Sequence, residues 1–310
     1  MKIAFLCKNF RAVDRGAEVF VAEVSSRLAL LGHTVQVFPW AKHLSEFLPQ
    51  VVISTNGRAD VIRARVWCLT HRAKLVIPGQ SGPGLDDRIN LLTFPHTFVA
   101  LTHHQQSWAK SANPLVPTIV IPNGVDLAKF NPQVTPFKTK LPPPVVLCVA
   151  ALTVDKRQDL TLKAAAKLGV SVLLVGRGDR EQAIRSLGEH LLKDRFHHIS
   201  LPHSQVPSVY TCANVFTYPT VPWESFGIVL LEAMASGLPV VATNDPIRRE
   251  IIGPAGLFVD PQDTDAYAAT LWKAIRTDWQ HAPRAQAELF SWTIVANRYH
   301  QLCQSLTSLS

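Results

Sequence analysis

Short apolar runs, each followed by a segment of helical period or by a turn, recur from the second residue of this chain, and that alternation restricts it to an α/β fold class. Lys2–Cys7 reads as a buried strand. Gly16–Leu31 follows as a helix, with Val21, Val24, Leu28 and Leu31 at helical spacing and Gly32 where a left-handed cap is expected. Thr34–Pro39 reads as a second strand, and Val51–Thr55, Lys74–Pro78, Phe98–Thr102 and Thr118–Ile121 are further short apolar runs. A βαβ rhythm of this kind predicts a doubly wound parallel sheet, which binds ligands beyond the carboxyl ends of its strands.

Two proline clusters, Asn131–Pro136 and Pro142–Pro144, interrupt the pattern and predict a stiff linker. A second alternating series then opens at Val145–Ala151. It continues with a helix at Asp159–Leu168, strands at Ser171–Gly176, His198–Leu201 and Val215–Pro219, a helix at Gly227–Ala235 and a strand at Pro239–Thr243. A long helix near Asp263–Thr277 and an amphipathic segment, Phe290–Leu306, complete it. The expected division is therefore a Rossmann-like domain over residues 1–130, a second over 131–289, and a last segment, 290–310. No internal repeat or low-complexity tract is visible.

Composition narrows the function classes. At 310 residues the chain has room for about two domains, and with 47% hydrophobic and 17% charged residues it is not disordered. No apolar run reaches the ~18 residues of a spanning helix; the longest, Val145–Leu152, is far shorter. The first residues lack a signal-peptide core, and the five widely spaced cysteines (Cys7, Cys68, Cys148, Cys212, Cys303) contain no CxxC. A reducing, cytoplasmic setting is the expectation. The net charge of +8 is uneven: residues 1–130 hold 14 basic and 8 acidic residues, the remainder 17 and 15. The basic residues of the first part are scattered singly without interleaved aromatics, which argues against nucleic acid and leaves an anionic acceptor or peripheral contact with an anionic membrane.

The most informative stretch runs from Glu224-Ser-Phe-Gly227 to Glu232-Ala-Met-Ala-Ser-Gly-Leu-Pro-Val-Val-Ala242. A strand ends at Tyr218-Pro219, a loop follows, and Gly227 opens a helix without a side chain in the way. The first amides of a helix lack intrahelical partners and sit at its positive end, where a diphosphate is well placed. Glu232 stands just over one turn later on an otherwise apolar helix, and a carboxylate there needs partners such as ribose hydroxyls. Gly237 caps the helix, and Pro239 prevents its continuation.

This stretch closely resembles the signature of retaining glycosyltransferase family 4, whose fold is GT-B: two Rossmann-like doubly wound domains facing a cleft. Weaker matches lie in the family's order: Arg15-Gly16-Ala17-Glu18 before the first helix, Gly32-His33-Thr34-Val35 after it, Ile121-Pro-Asn-Gly-Val-Asp126 with Phe130, and Ser291-Trp292 in the last segment, which in the family crosses back to the first domain. The resemblance implies sugar transfer from a nucleotide-diphosphate-sugar, with retention and without a catalytic metal or other cofactor, to a glycan, lipid-linked glycan or small-molecule acceptor.

The resemblance also implies residue roles. Glu224 would orient the donor sugar and Glu232 bind the ribose. The amides of Gly227 and Ile228, behind Phe226, would hold the diphosphate, and Gly176 and Gly178 would form the Gly-x-Gly loop near the base and phosphates. The family carries an Arg and, five residues on, a Lys at the turn after the first strand of the second domain. Here Lys156 holds the Lys position but Ala151 the other, so Arg157 is the candidate for the second cation. Preorganised cations stabilise the charge that develops on a departing diphosphate. On the acceptor side, Gly16 would allow close backbone approach and Arg15 face an anionic group. Gln80 occupies the place where many members have a His; it can hydrogen-bond a hydroxyl but not shuttle a proton. His71, His96, His103 and His104 read as surface or capping residues, and Asp86-Asp87 as a polar turn.

Three rivals are weaker. A nicotinamide enzyme would need GxGxxG after Lys2–Cys7, and a phosphorylase of this architecture a cofactor lysine or a much longer chain. A degenerate transferase kept as a nucleotide-sugar-binding scaffold would explain Ala151 and Gln80 but not the retention of Glu224 and Glu232 together.

Overall fold

The computed structural model describes residues 1–12 and 16–308, and the chain divides into two compact units, one of Met1–Gly124 with Phe290–Ser310 and one of Val125–Leu289. In chain order the first unit holds β1 (Lys2–Leu6), α1 (Gly16–Leu30), β2 (Thr34–Phe38), α2 (Leu44–Phe47), β3 (Val51–Ser54), α3 (Ala59–His71), β4 (Lys74–Pro78), α4 (Leu85–Leu92), β5 (Thr97–Ala100), α5 (His103–Ala112) and β6 (Thr118–Val120). The second unit holds β7 (Val145–Val149), α6 (Gln158–Leu168), β8 (Ser171–Val175), α7 (Glu181–Leu192), β9 (Phe196–Ile199), α8 (Pro207–Tyr210), β10 (Val215–Tyr218), α9 (Ile228–Ala235), β11 (Val240–Thr243), α10 (Pro246–Ile252), β12 (Gly256–Val259), α11 (Thr264–Arg276) and α12 (Ala282–Glu288). The last helix, α13 (Trp292–Ser308), belongs to the first unit.

Each unit is built on a six-stranded parallel sheet, ordered β2-β1-β3-β4-β5-β6 in the first and β12-β11-β10-β7-β8-β9 in the second. Parallel strands covered by helices on both faces are apolar at nearly every position; β3, β7 and β8 are buried along their whole length. The climb from β3 to β6 with right-handed crossovers puts α3, α4 and α5 on one face. There Val61, Ala64 and Cys68 of α3, Leu91 of α4 and Ala109 of α5 share one core with β1 and β4. On α1, Phe20 meets Trp292 and Tyr299 of α13 at ring-centroid distances of 6.4 and 5.3 Å, so the last helix completes the first unit's core.

Several sequence expectations are corrected here. Residues 131–144 contain no helix or strand, yet they pack within the second unit. Phe130 and Leu141 are buried, the Phe137 amide donates to the Ser208 carbonyl at 2.9 Å, and Ser171 Oγ donates to the Pro142 carbonyl. The third strand of the second unit starts at Phe196, two residues earlier than predicted, because it pairs in register with β8 from Val172 onward. Asp86-Asp87 is the first turn of α4 and no loose polar turn; Asp87 is only 1% exposed and accepts from Asn90 Nδ2 at 3.2 Å and Gln105 Nε2 at 3.1 Å. Desolvation pushes its carboxyl up to about 7. His96, expected as a surface or capping residue, is half-buried and does cap: its Nδ1 accepts the Leu75 amide near the start of β4 at 2.9 Å, and burial, aided by Arg65 and Lys74, lowers its pKa to about 4.

Candidate functional site

In a doubly wound sheet the crevice for a ligand opens where the strand order reverses, beyond the carboxyl ends. In the second unit this point lies between β7 and β10. The loops that leave these two strands carry Lys156 and Glu224, and the structure brings the two together. Lys156 Nζ donates to Glu224 Oε2, lies 3.3 Å from Asp155 Oδ2, and sits over the Tyr218 ring at 5.7 Å. Burial opposes the ammonium, but Tyr218, Glu224 and Asp155 outweigh it and raise the Lys156 pKa, so the cation persists at neutral pH in a half-buried place.

The loop carrying Glu224 is held by its own carbonyls. Arg157, with φ of 50°, turns its guanidinium under the loop, Nε donating to the Pro219 carbonyl at 2.7 Å and Nη2 to that of Thr220. Arg248 is fully buried. It pairs through Nε with Asp245 Oδ2 at 2.7 Å and donates from Nη1 and Nη2 to the carbonyls of Glu224 and Pro222, both at 2.7 Å. The Val221 amide and Thr220 Oγ1 both donate to the Asp155 carbonyl, tying this loop to the one that bears Lys156. Arg157 is thus engaged with main-chain oxygens, which changes its expected place as a second phosphate-facing cation. Ala151 is exposed, and its carbonyl accepts from Gln158 Nε2.

Gly227 precedes α9 in the left-handed region, with φ of 86°, and a Cβ there would meet the Tyr218 ring at 2.9 Å. Gly227 and Ile228 are partly accessible, so the N-terminal end of α9 is open, whereas the Phe226 side chain is buried in the core. Glu232 lies on the second turn. Its Oε2 accepts from the buried Tyr210 hydroxyl at 2.7 Å, and its Oε1 is 3.7 Å from His203 Nε2. Lys129 Nζ, which only donates, contacts His203 Nδ1 at 2.8 Å; the imidazole proton therefore sits on Nε2 and faces Glu232. At the other end of α9, Arg284 donates to the carbonyls of Ala235, Phe130 and Leu127. Gly176 and Gly178 allow a close main-chain crossing: added Cβ atoms would fall 2.0 Å from the Ala150 carbonyl oxygen and 2.2 Å from that of Leu152. Their place is beside the turn that leads to Lys156.

In the first unit, Gly16 opens α1, and Arg15 lies outside the described residues. Gln80 and Asn123 exchange two amide hydrogen bonds of 2.9 and 3.1 Å. Beneath them, Gln105 donates to the Gly79 carbonyl at 2.7 Å and to Asp87, and accepts from the Leu101 amide. Trp40, Lys42, Asp60 and Arg63 line a recess of about 400 Å³ beside the ends of β2 and β3. Among the described residues no group of three or more His, Cys, Asp or Glu is placed to hold a metal ion, and all five cysteines are free.

Sequence reasoning missed Arg248, Tyr210, His203, Lys129 and Arg284. Only Arg248 left a local trace: Asp245-Pro246 is a helix start, and the Asp245 carboxylate accepts the amides of Ile247 and Arg248.

Residues 132–288 match the family described as "Glycosyl transferases group 1". Over 124 residues the chain is 39% identical to "O-antigen chain mannosyltransferase B" of Escherichia coli, covering 38% of this chain and 29% of that protein. Over 211 residues it is 30% identical to the "GDP-mannose-dependent monoacylated alpha-(1-6)-phosphatidylinositol monomannoside mannosyltransferase" of Corynebacterium glutamicum, covering 60% and 55%. The chain thus spans between about a third and a little over half of the length of these curated relatives. The structure of "Sucrose-phosphate synthase" from Thermosynechococcus elongatus superposes over 100% of both chains with a TM-score of 0.83 at 20% identity, which shows the two-sheet GT-B fold. The match extends over half of the sequence and takes in both glutamates, and the chain belongs to the glycosyl transferases group 1 family.

Proposed function

We propose that this protein is a retaining glycosyltransferase that moves a sugar, mannose before others, from a nucleotide-diphosphate donor to a glycan or lipid-linked acceptor. One observation carries the reading: a protonated lysine and a carboxylate meet at the open end of α9, one turn from a second, buried carboxylate. The diphosphate is placed on the first amides of α9 and against Lys156, whose charge stabilises the departing phosphate. Glu224 then exchanges part of its contact with Lys156 for hydroxyls of the donor sugar. Glu232 accepts the ribose hydroxyls, held in orientation by Tyr210 and His203.

Arg157 and Arg248 act at one remove, fixing the carbonyls of the Glu224 loop, so the second cation of the family's pattern has no side-chain replacement at this turn. Gly176 and Gly178 border the donor through their main chain. No side chain is assigned as a nucleophile, and the departing phosphate is proposed to help deprotonate the acceptor, so that attack comes on the same face of the sugar. Gln80, Gly16 and the Trp40 recess are proposed for the acceptor. Mannose, with GDP as its carrier, is chosen because two relatives are named as mannosyltransferases, one of them as GDP-mannose-dependent.

The test is thermal unfolding with GDP, UDP and ADP, followed by mass spectrometry of turnover with GDP-mannose and other nucleotide-sugars. Ligand at 100 times its dissociation constant adds about 2.7 kcal/mol of stability. Absence of stabilisation by any of the three nucleotides overturns the donor site. Ala151 favours a second reading, a nucleotide-sugar-binding protein without turnover; binding with neither transfer nor hydrolysis over a broad acceptor panel establishes it.

A further inference from the structure

A recess of about 280 Å³ opens in the first unit at the amino ends of β3 and β4, the end of the sheet away from the loops that carry the proposed acceptor residues. Gln50 stands just before β3, Lys74 begins β4, Arg72 caps α3, and Thr307 of α13 also lines the space. The fold fixes these walls. The Lys74 amide donates to the Gln50 carbonyl at 2.9 Å, and the Lys2 amide donates to Gln50 Oε1 at 3.1 Å. Trp67 forms an apolar side, its Nε1 donating to Ser45 Oγ at 2.8 Å and its ring stacked on His71 with centroids 4.2 Å apart. Leu48 and Pro49 extend that side.

The polar groups left over on these walls are donors. Among the described residues no Asp or Glu lines the recess. Gln50 spends its side-chain oxygen on Lys2, so its amide NH₂ is what it has to offer. The Arg72 guanidinium and the Lys74 ammonium have no hydrogen-bond or ion-pair partner among the described residues, although Lys74 is partly buried. Cations at the C-terminal end of a helix ordinarily answer its open carbonyls. Here the carbonyls of Val66, Trp67 and Cys68 accept instead from Thr70 Oγ1, His71 Nδ1 and the amides of Arg72 and Ala73. Two like charges beside one recess repel each other, and an oxyanion that both reach reverses the sign of that interaction. A guanidinium fork suits a pair of phosphate oxygens and an ammonium a further one, while Trp67 and Leu48 offer apolar surface to the rest of the molecule. We propose that this recess binds a small phosphorylated molecule of the sugar-phosphate type, at a site separate from those proposed for donor and acceptor. Its binding needs neither donor nor transfer, so it stands apart from the proposed activity.

The experiment is isothermal titration and thermal unfolding of the full chain with glucose 6-phosphate, inorganic phosphate and glucose. Glucose 6-phosphate should bind and raise the midpoint, inorganic phosphate should bind more weakly, and glucose should do neither. Arg72→Gln and Lys74→Gln should each raise the Kd for glucose 6-phosphate roughly tenfold or more. The double variant should abolish binding while keeping the wild-type midpoint without ligand, since neither side chain has a partner to lose. Lys156→Ala, which removes the donor-site cation, and Lys273→Gln, an exposed charge of the second unit, should leave this binding unchanged. Hydrogen exchange on binding should slow over residues 48–50 and 72–74. Five outcomes overturn the proposal: an equal response to glucose, equal affinity for inorganic phosphate, wild-type binding by the double variant, a loss with Lys156→Ala that matches the loss with Arg72→Gln, or slowed exchange confined to other segments.

Discussion

In the second unit the strand order reverses between β7 and β10, and the loops at that point are held by charge: Lys156 on Glu224, Arg157 and Arg248 on four carbonyls, Arg248 on Asp245. In the first unit the order reverses between β1 and β3, and the strand ends there and beyond are held mainly by neutral amides: Asn56 on the Lys8 amide and the Pro39 carbonyl, Gln80 on Asn123, Gln105 on Gly79 and Leu101. The outer surfaces differ as well. Of the sixteen large hydrophobic residues exposed among the described residues, only Val154, Trp223, Trp272 and Leu289 belong to the second unit. The lesson is one of chemistry. For the donor proposed above, a polyanion, fixed cations and preorganised dipoles at the strand ends are what such a site needs, since groups set in advance are the effective ones. Neutral amides set main-chain positions at smaller cost in buried charge.

That contrast can be broken at several points, and the sharpest is Glu224→Gln. Transfer in the mass-spectrometric assay should fall by about 10²–10³-fold or more, and Lys156→Ala should fall comparably, with unfolding midpoints little changed. If both variants retain full turnover, the charged end of the second unit is not where the chemistry is done. Arg248→Met comes next. It leaves Asp245 buried beside an apolar side chain and should cost about 3–5 kcal/mol in chemical unfolding. Arg248→Lys keeps the cation but loses the fork that reaches the Pro222 and Glu224 carbonyls, and should weaken nucleotide binding in the thermal-shift assay more than it lowers the midpoint without ligand.

The first unit also buries carboxylates among these amides, Asp60 and Asp87, and pH exposes the second. A free aspartate ionises near 3.8, but burial holds this one protonated to about 7. Between these values the folded chain binds more protons than the unfolded one, so stability from this group is lost as pH rises from about 4 to about 7. Asp87→Asn should remove that loss, leaving the opposite trend from His96, whose lowered pKa adds stability as pH rises from about 4 to 6.5; an unchanged pH profile of unfolding removes Asp87 as a contributor. The smallest effect is expected from Gln80→Ala. It breaks a pair of neutral hydrogen bonds and should cost about 1 kcal/mol, with its functional trace in the KM for acceptor rather than for donor. A shift confined to the donor KM would erase the distinction between the units.

Much of this was legible in the residues, and the reason differs by feature. The strands of both sheets were visible because a strand buried on both faces is apolar at every position, as in Val145–Val149. Glu224, Gly227 and Glu232 stood out because the stretch from Glu224 to Ala242 resembles a family signature, and because a glycine just before an apolar helix marks an open helix start. The segment 131–144 misled because proline density marks an irregular chain without saying what it packs against. Asp86-Asp87 misled because two adjacent aspartates look solvated, while a helix turns one of them inward onto Gln105, eighteen residues away. The partners of Arg157 were not legible because adjacency to Lys156 says nothing of the Pro219 and Thr220 carbonyls, 62 and 63 residues away, to which its guanidinium donates.

The sequence by itself determined the alternation of strand and helix, the place of both glutamates around the start of α9 and the excess of cations before residue 131, since each depends on neighbours along the chain. Only the tertiary structure decided that Arg248 and Arg157 would meet carbonyls 24 to 63 residues away, and that Tyr210 and His203 would face Glu232. A side chain's partner across such distances is set by sheet order and helix packing, and no spacing along the chain encodes it.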